Sequence, residues 1–198
     1  NTGRTMDSEE AIKLIMRYEP YFCEKGGVTL SGGEPLMQPE FAAEVFELCR
    51  ERGIHTALDT AGAPLTAEVM RVLDLTDLLL LDIKHTESHC YTEITGKPID
   101  YMLGVFSYAC EHNIDMWARQ VVVPGMNDKP SDMLALAELL KDKPNLKRVE
   151  LLAYHTMAVP KWEQLGIEYP LAGIAPLGEE QIEPLCDILR SCGLPVAS

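Results

Sequence analysis

Apolar positions along this chain switch repeatedly between helical and strand spacing. Asp7 and Glu10 stand at capping-box distance, and Ile12, Ile15 and Met16 then recur at helical intervals, which predicts a first helix. After Gly26-Gly27 the short run Val28-Thr29-Leu30 reads as a strand, stopped by the turn Ser31-Gly32-Gly33. Pro39 suits a helix start, Phe41, Val45, Leu48 and Cys49 form an apolar stripe, and Gly53 suits the stop. The same reading predicts a strand over Ile54 to Leu58, a helix from about Thr66 to Asp74 and a strand over Leu78 to Ile83. Pro98 opens a longer helix whose buried face is Met102, Val105, Phe106, Ala109 and Cys110, followed by a strand over Met116 to Val123 that Pro124-Gly125 ends. Ser131 to Lys141 is the next helix, Val149 to Tyr154 the next strand, and a last helix runs to Gly193 with Pro184 in it or in its first turn.

Five strands each followed by a helix imply a parallel sheet with right-handed crossovers, and Leu78 to Leu81 is apolar on both faces, as such a sheet requires. One helix precedes the first strand without a strand of its own. The expected fold is therefore α/β, an open or partial (β/α) barrel of five parallel strands that lacks its first strand. A Rossmann-type open sheet is the competitor.

Composition narrows the partners. The 198 residues suit a single domain over 1–198, and 46% hydrophobic with 24% charged residues is ordinary globular composition. The formal charge of −14 has the wrong sign for a phosphate-binding surface, so nucleic acid is not expected as a partner. The longest apolar runs fall far short of the roughly 20 residues that cross a bilayer, so no membrane is expected either. The chain opens on Asn1 with no basic, apolar leader, which predicts a cytoplasmic protein and a piece of a longer one. The six cysteines, at 23, 49, 90, 110, 186 and 192, fall mostly on helix faces and read as buried free thiols, with no Cys-x-x-Cys spacing among them.

Polar residues collect where each strand runs out: Ser31-Gly32-Gly33-Glu34, Asp59-Thr60, Asp82 with Lys84, Arg119, and His155. Alone, each has a plain explanation: a turn, a loop cap, a structural ion pair, a hydrogen-bonded histidine. Five such clusters at one edge of a parallel sheet make a mouth suited to a small zwitterion or a multiply charged ligand. Bare Gly-Gly backbone, carboxylates for an ammonium, and Arg and Lys for a carboxylate are all present.

The order of these motifs resembles the pyruvate formate-lyase activating enzymes and related glycyl-radical activating enzymes of the radical S-adenosylmethionine (SAM) superfamily. The likeness rests on Gly26 to Leu36 (GGVTLSGGEPL), Leu58-Asp59-Thr60-Ala61-Gly62, Leu81-Asp82-Ile83-Lys84, Arg119 leading into Val123-Pro124-Gly125-Met126-Asn127-Asp128, and Leu151 to His155. Trp162 to Tyr169 is also similar to the family's C-terminal segment. The resemblance implies a partial barrel of six strands with a [4Fe-4S] cluster at its mouth, chelated by SAM. An electron from a flavodoxin or ferredoxin then cleaves SAM, and the 5′-deoxyadenosyl radical takes hydrogen from a backbone glycine of a glycyl-radical enzyme, pyruvate formate-lyase or a relative. It further implies that Gly32, Gly33 and Glu34 receive the amino group of SAM. Asp82, Lys84 and Arg119 would line its carboxylate and ribose, with His155 near the ribose or adenine. Asp59, Thr60 and Asp82 with the backbone of Leu80 would form a monovalent-cation site.

One departure is large. The family's Cys-x-x-x-Cys-x-x-Cys cluster motif follows its first strand, and neither occurs in this sequence. The expectation is thus an N-terminally truncated fragment, with the cluster in the full-length protein only and no catalytic residue of its own. Ala153 replaces the proline common before Tyr-His, and Tyr18 to Phe22 is similar to the pyruvate formate-lyase branch. Two other functions compete: a non-catalytic barrel module that binds SAM or a partner, and an aldolase using Lys84 as a Schiff-base nucleophile. A barrel without its first strand is also expected to associate through the unpaired edge.

Overall fold

The computed structural model describes residues 4–22, 26–157 and 159–197. Its sheet has five parallel strands in the order β1-β2-β3-β4-β5: β1 Gly27–Leu30, β2 His55–Thr60, β3 Leu78–Asp82, β4 Asp115–Val122 and β5 Leu146–Ala153. Sequential order decides between the two candidate architectures. When every right-handed crossover advances by one strand, every connecting helix lands on the same face, whereas a Rossmann sheet reverses direction and covers both. The chain is wound as a barrel wall left open.

Eight α-helices accompany this sheet among the described residues: α1 Ser8–Met16, α2 Pro39–Arg50, α3 Ala67–Asp74, α4 Ser88–Thr95, α5 Asp100–Glu111, α6 Pro130–Leu140, α7 Val159–Leu165 and α8 Glu179–Ser191. Local chemistry sets their starts. Asp7 accepts the Glu10 amide at 2.7 Å ahead of α1, and the Thr66 hydroxyl accepts the Val69 amide at 3.3 Å ahead of α3. Pro184 lies inside α8. No helix is long and apolar enough to cross a membrane.

Alternation along the strands separates the two faces. Leu58, Leu79, Leu81, Met116, Ala118 and Val149 are buried against Phe46 of α2, Val72 of α3, Met102 of α5, Met133 of α6 and Leu189 of α8, forming the main core. A smaller cluster joins Ala11 and Ile12 of α1 to Val45, Cys49 and Ile54. The opposite, inner face carries Ala57 and Asp59, Leu80 and Asp82, Trp117 and Arg119, and Arg148 and Glu150, aligned as strand neighbours. The far edge of β5 is partly capped by the C-terminal segment, where Val149 pairs with Val196. On the outer side of β1, no strand pairs among the described residues.

Several expectations need correction. β2 runs to Thr60, so Asp59 and Thr60 are its last residues instead of a following loop. α4 was not foreseen because Tyr91 is its one buried residue, leaving no apolar stripe to read, and α7 was missed likewise. Buried thiols hold for Cys49 and Cys186, but Cys90 and Cys110 are half-buried and Cys192, just past α8, is exposed. Cys23 lies outside the described residues.

The two faces predict unequal mutational costs. Leu81→Ala leaves a cavity under the helices and is expected to cost about 3 kcal/mol in urea unfolding. Leu80→Ala, on the half-exposed inner face, is expected to cost about 1 kcal/mol.

Candidate active site

The mouth is assembled from the loops that leave β1, β2 and β3, from side chains at the ends of β2 and β3, and from Arg119 inside β4. After β1 the chain turns through Gly32 at φ +84° and Gly33 at φ +62°, left-handed conformations that glycine adopts without strain. Around both, the space a β-carbon would take is open, so the peptide groups there are accessible to a ligand.

Glu34 follows, and its carboxylate is fully engaged within the protein. Oε1 accepts the Leu36 amide at 3.1 Å and the Thr60 hydroxyl at 2.5 Å, while Oε2 accepts the Ala61 amide at 3.0 Å. Thr60 Oγ1 in turn accepts the Gly62 amide at 2.9 Å. A side chain expected to meet a ligand's ammonium thus first ties the Gly-Gly turn to the end of β2. The Tyr91 hydroxyl of α4 donates to the Ala61 carbonyl at 3.1 Å, and burial, with the nearby Glu34 charge second, pushes its pKa up. Gly62 is required by packing, since a β-carbon there would stand 2.7 Å from the backbone of Met102.

The charged group sits on the inner face. Arg119 is the strand neighbour of Asp82, and its Nε donates to Asp82 Oδ1 at 3.0 Å. Its other arm spans β3 to reach Asp59. Lys84 Nζ donates to Asp82 Oδ2 at 2.9 Å. Two carboxylates and two cations make a neutral set, and the side chains are only 18% to 32% exposed. In this arrangement Arg119 occupies the position between Asp59 and Asp82, and Thr60 turns its hydroxyl to Glu34. A cation held by Asp59, Thr60, Leu80 and Asp82 would have to displace both.

The inner face continues onto β5. Glu150 is the strand neighbour of Arg119. Arg148 stands 2.7 Å from Glu150 and lies over the Trp117 ring at 4.8 Å from its centroid. These residues were not singled out in the sequence, although their alternation with buried Val149 and Leu151 was available as a signal. Asn127, named in the sequence only as part of the Val123 to Asp128 motif, has a structural role that the motif alone did not show. Fully buried in the loop after β4, it accepts the Val123 amide at 2.7 Å and donates to the Val121 carbonyl at 2.9 Å and the Lys84 carbonyl at 3.4 Å.

Gly33, Glu34 and Lys84 line a cavity of about 500 Å³ that Met37, Tyr91 and Ile94 complete. His155 is not among the residues that line it. Leu151 faces the helices, β5 ends at Ala153, and His155 lies two residues beyond. His155 instead lines a groove along β5 with Glu150, Leu152, Leu177 and Cys186. Beside it Tyr154 is buried, and its hydroxyl lies 2.9 Å from that of Tyr169, whose pKa is pushed up to about 12 by burial and then by this hydrogen bond.

A barrel wall wound in one direction, with a Gly-Gly turn and a charged set at its C-terminal mouth, is the arrangement of an oxidoreductase-type radical SAM enzyme. The model of the radical SAM superfamily matches residues 1–140. Pyruvate formate-lyase-activating enzymes are 40% identical over 193 residues in Clostridium pasteurianum and 36% identical over 197 residues in Listeria monocytogenes. These matches cover 95% and 96% of this chain and 79% of each relative. The crystal structure of a domain of pyruvate-formate lyase-activating enzyme from Bacteroides vulgatus superposes with a TM-score of 0.70 at 26% identity, covering 86% of this chain and 97% of that one. The chain belongs to the radical SAM superfamily and, within it, to the pyruvate formate-lyase-activating enzymes.

The family implies SAM and a [4Fe-4S] cluster, and the two fit this chain differently. Accessible Gly32 and Gly33 peptides, the cavity that Gly33 shares with Lys84, and the ion pairs joining Lys84, Asp82 and Arg119 offer complementary groups to a zwitterion. A cluster needs several thiolates at one point, and among the described residues no three cysteines come together. The residues present do not fit a cluster.

Glu34→Ala removes three accepted hydrogen bonds from the joint between two mouth loops. It is expected to lower stability by about 3 kcal/mol in urea unfolding. Glu40→Ala, in the first turn of exposed α2 surface, serves as the unaffected control.

Proposed function

We propose that residues 1–198 act as one domain that binds SAM at the mouth of the sheet for a cytoplasmic glycyl-radical activating enzyme, with pyruvate formate-lyase or a relative as protein substrate. The observation that carries this reading is the cavity that Gly33, Glu34 and Lys84 line together, with Lys84 paired to Asp82 and Asp82 to Arg119. The Gly32 and Gly33 carbonyls would accept the amino group of SAM, with Glu34 holding their turn in place. Arg119 and Lys84 would pair with its carboxylate, exchanging part of their contact with Asp59 and Asp82. Asp82 would remain to orient Lys84.

One-electron cleavage of SAM supplies the hydrogen-abstracting adenosyl group in this family. The 198 residues hold no cluster motif, and no electron-transfer step is assigned to them. A flavodoxin or ferredoxin as the electron source, and a monovalent cation beside the SAM carboxylate, belong to this same reading of the family resemblance. His155 would meet the ribose or adenine after movement of the segment beyond β5.

Isothermal titration with SAM under anaerobic conditions tests the assignment. Binding is expected, and Arg119→Gln and Lys84→Met are each expected to weaken it about tenfold by removing a charge-assisted hydrogen bond. His112→Ala, on the outer end of α5, should bind as the parent does. Absence of any SAM-dependent heat, or equal affinity in all variants, overturns the reading.

A further inference from the structure

We propose that the loop between β3 and α4 is a divalent metal site of zinc type, built from His85, Glu87 and Cys90. One ligand atom from each of the three residues lies within 4.8 Å of the others. The set combines imidazole, carboxylate and thiol within six residues of chain, and none of the three belongs to the charged set at the mouth.

Local structure already orients each donor. His85 is buried at 6% exposure, which fixes its ring. The Glu87 amide donates to His85 Nδ1 at 3.0 Å, so the neutral ring carries its proton on Nε2 and offers the Nδ1 lone pair. Coordination there replaces this one hydrogen bond. Glu87 caps α4, with Oε1 accepting the His89 amide at 3.1 Å and Oε2 the Cys90 amide at 2.9 Å. Each oxygen keeps a further lone pair, and the two amides hold the carboxylate as outer-shell partners commonly hold metal ligands. Cys90, in the first turn of α4, is half-buried and unbridged.

Donor chemistry selects the ion. Mixed nitrogen, oxygen and sulfur donors suit a borderline ion such as Zn²⁺ or Co²⁺, while Mg²⁺ and Ca²⁺ prefer oxygen alone. A single thiol cannot hold an iron–sulfur cluster. Three protein ligands leave a fourth position for water, and the proton displaced from Cys90 passes to buffer. Such an ion would brace the loop immediately after Lys84 and act as a structural site beside the mouth.

The test uses the whole chain, reduced and stripped with chelator, then titrated with Co²⁺ or Zn²⁺. One equivalent of Co²⁺ is expected to give a thiolate-to-metal charge-transfer band that Cys90→Ser abolishes, and His85→Gln is expected to weaken binding about tenfold or more. Independently, Zn²⁺ should slow alkylation of Cys90 in the parent protein about tenfold, leaving exposed Cys192 unprotected. A Co²⁺ band that survives Cys90→Ser, or a Cys90 alkylation rate indifferent to Zn²⁺, overturns the site. The alkylation measurement uses the parent protein and so does not depend on any variant folding.

Discussion

A parallel sheet wound in one direction can cover only one of its faces with its own helices, and most of this molecule follows from that constraint. The outer face is sealed by α2, α3, α5, α6 and α8 and holds the apolar strand residues. Among the described residues the helices of the main core pack on the outer face, and alternate positions of the inner face carry Asp59, Asp82, Arg119, Arg148, Glu150 and Trp117. Partly solvated charges are tolerable there only when they meet their opposites, because an uncompensated charge in such a recess is costly. Arg119 satisfies two carboxylates at once, reaching Asp82 beside it and Asp59 one strand further. The polar mouth is thus a consequence of the winding, and its specificity lies in which charges were placed.

That placement has a chemical corollary. In the neutral set of Asp59, Asp82, Arg119 and Lys84, every charge has a partner within the protein. An incoming carboxylate does not meet free cations; it competes with Asp59 and Asp82 for hydrogen bonds already made. A zwitterion does better than a simple anion in that exchange, since it brings an ammonium along with its carboxylate. The space around Gly32 and Gly33 is open, which leaves their peptide groups accessible. Neutral sets exchanging partners in this way discriminate by shape and by the pairing of charges, more than by net charge.

The strand-helix alternation was legible in the sequence because five apolar segments and their capping residues obey simple periods, and four of the five polar clusters fell at or just past strand ends, while Arg119 lies inside β4, three residues before its end. What the pattern hid was structure without an apolar stripe. α4 rests on Glu87 as a cap and Tyr91 as its single buried residue, and neither leaves a periodic trace. The role of Glu34 was also out of reach, since its partners Thr60 and Ala61 lie 26 and 27 residues away and the bond exists only after β1 and β2 pair. His155 lies two residues past Ala153, where β5 stops and strand alternation no longer fixes a side chain's direction. Arg119 to Asp59 spans 60 residues, yet both were found, because period-two alternation places each on the inner face of its strand.

The loops at the mouth are fastened to one another in sequence, and this decides how much ordering a ligand must supply. Glu34 joins the loop after β1 to the one after β2, and Tyr91 joins that loop to α4. Asn127 joins the loop after β4 to the backbone at Lys84. Each fastener is a single side chain reaching backbone groups of a neighbouring loop, so the peptide geometry is held while the charged side chains remain free to exchange partners. A loop ordered before binding contributes no ordering cost to affinity, since that entropy was lost in folding. The chain beyond β5, including His155, is tied instead through the Tyr154 and Tyr169 hydroxyls. The rigid part of the mouth is therefore the part that would hold the amino acid end of a ligand, and the segment near His155 is where closure over the remainder would have to occur.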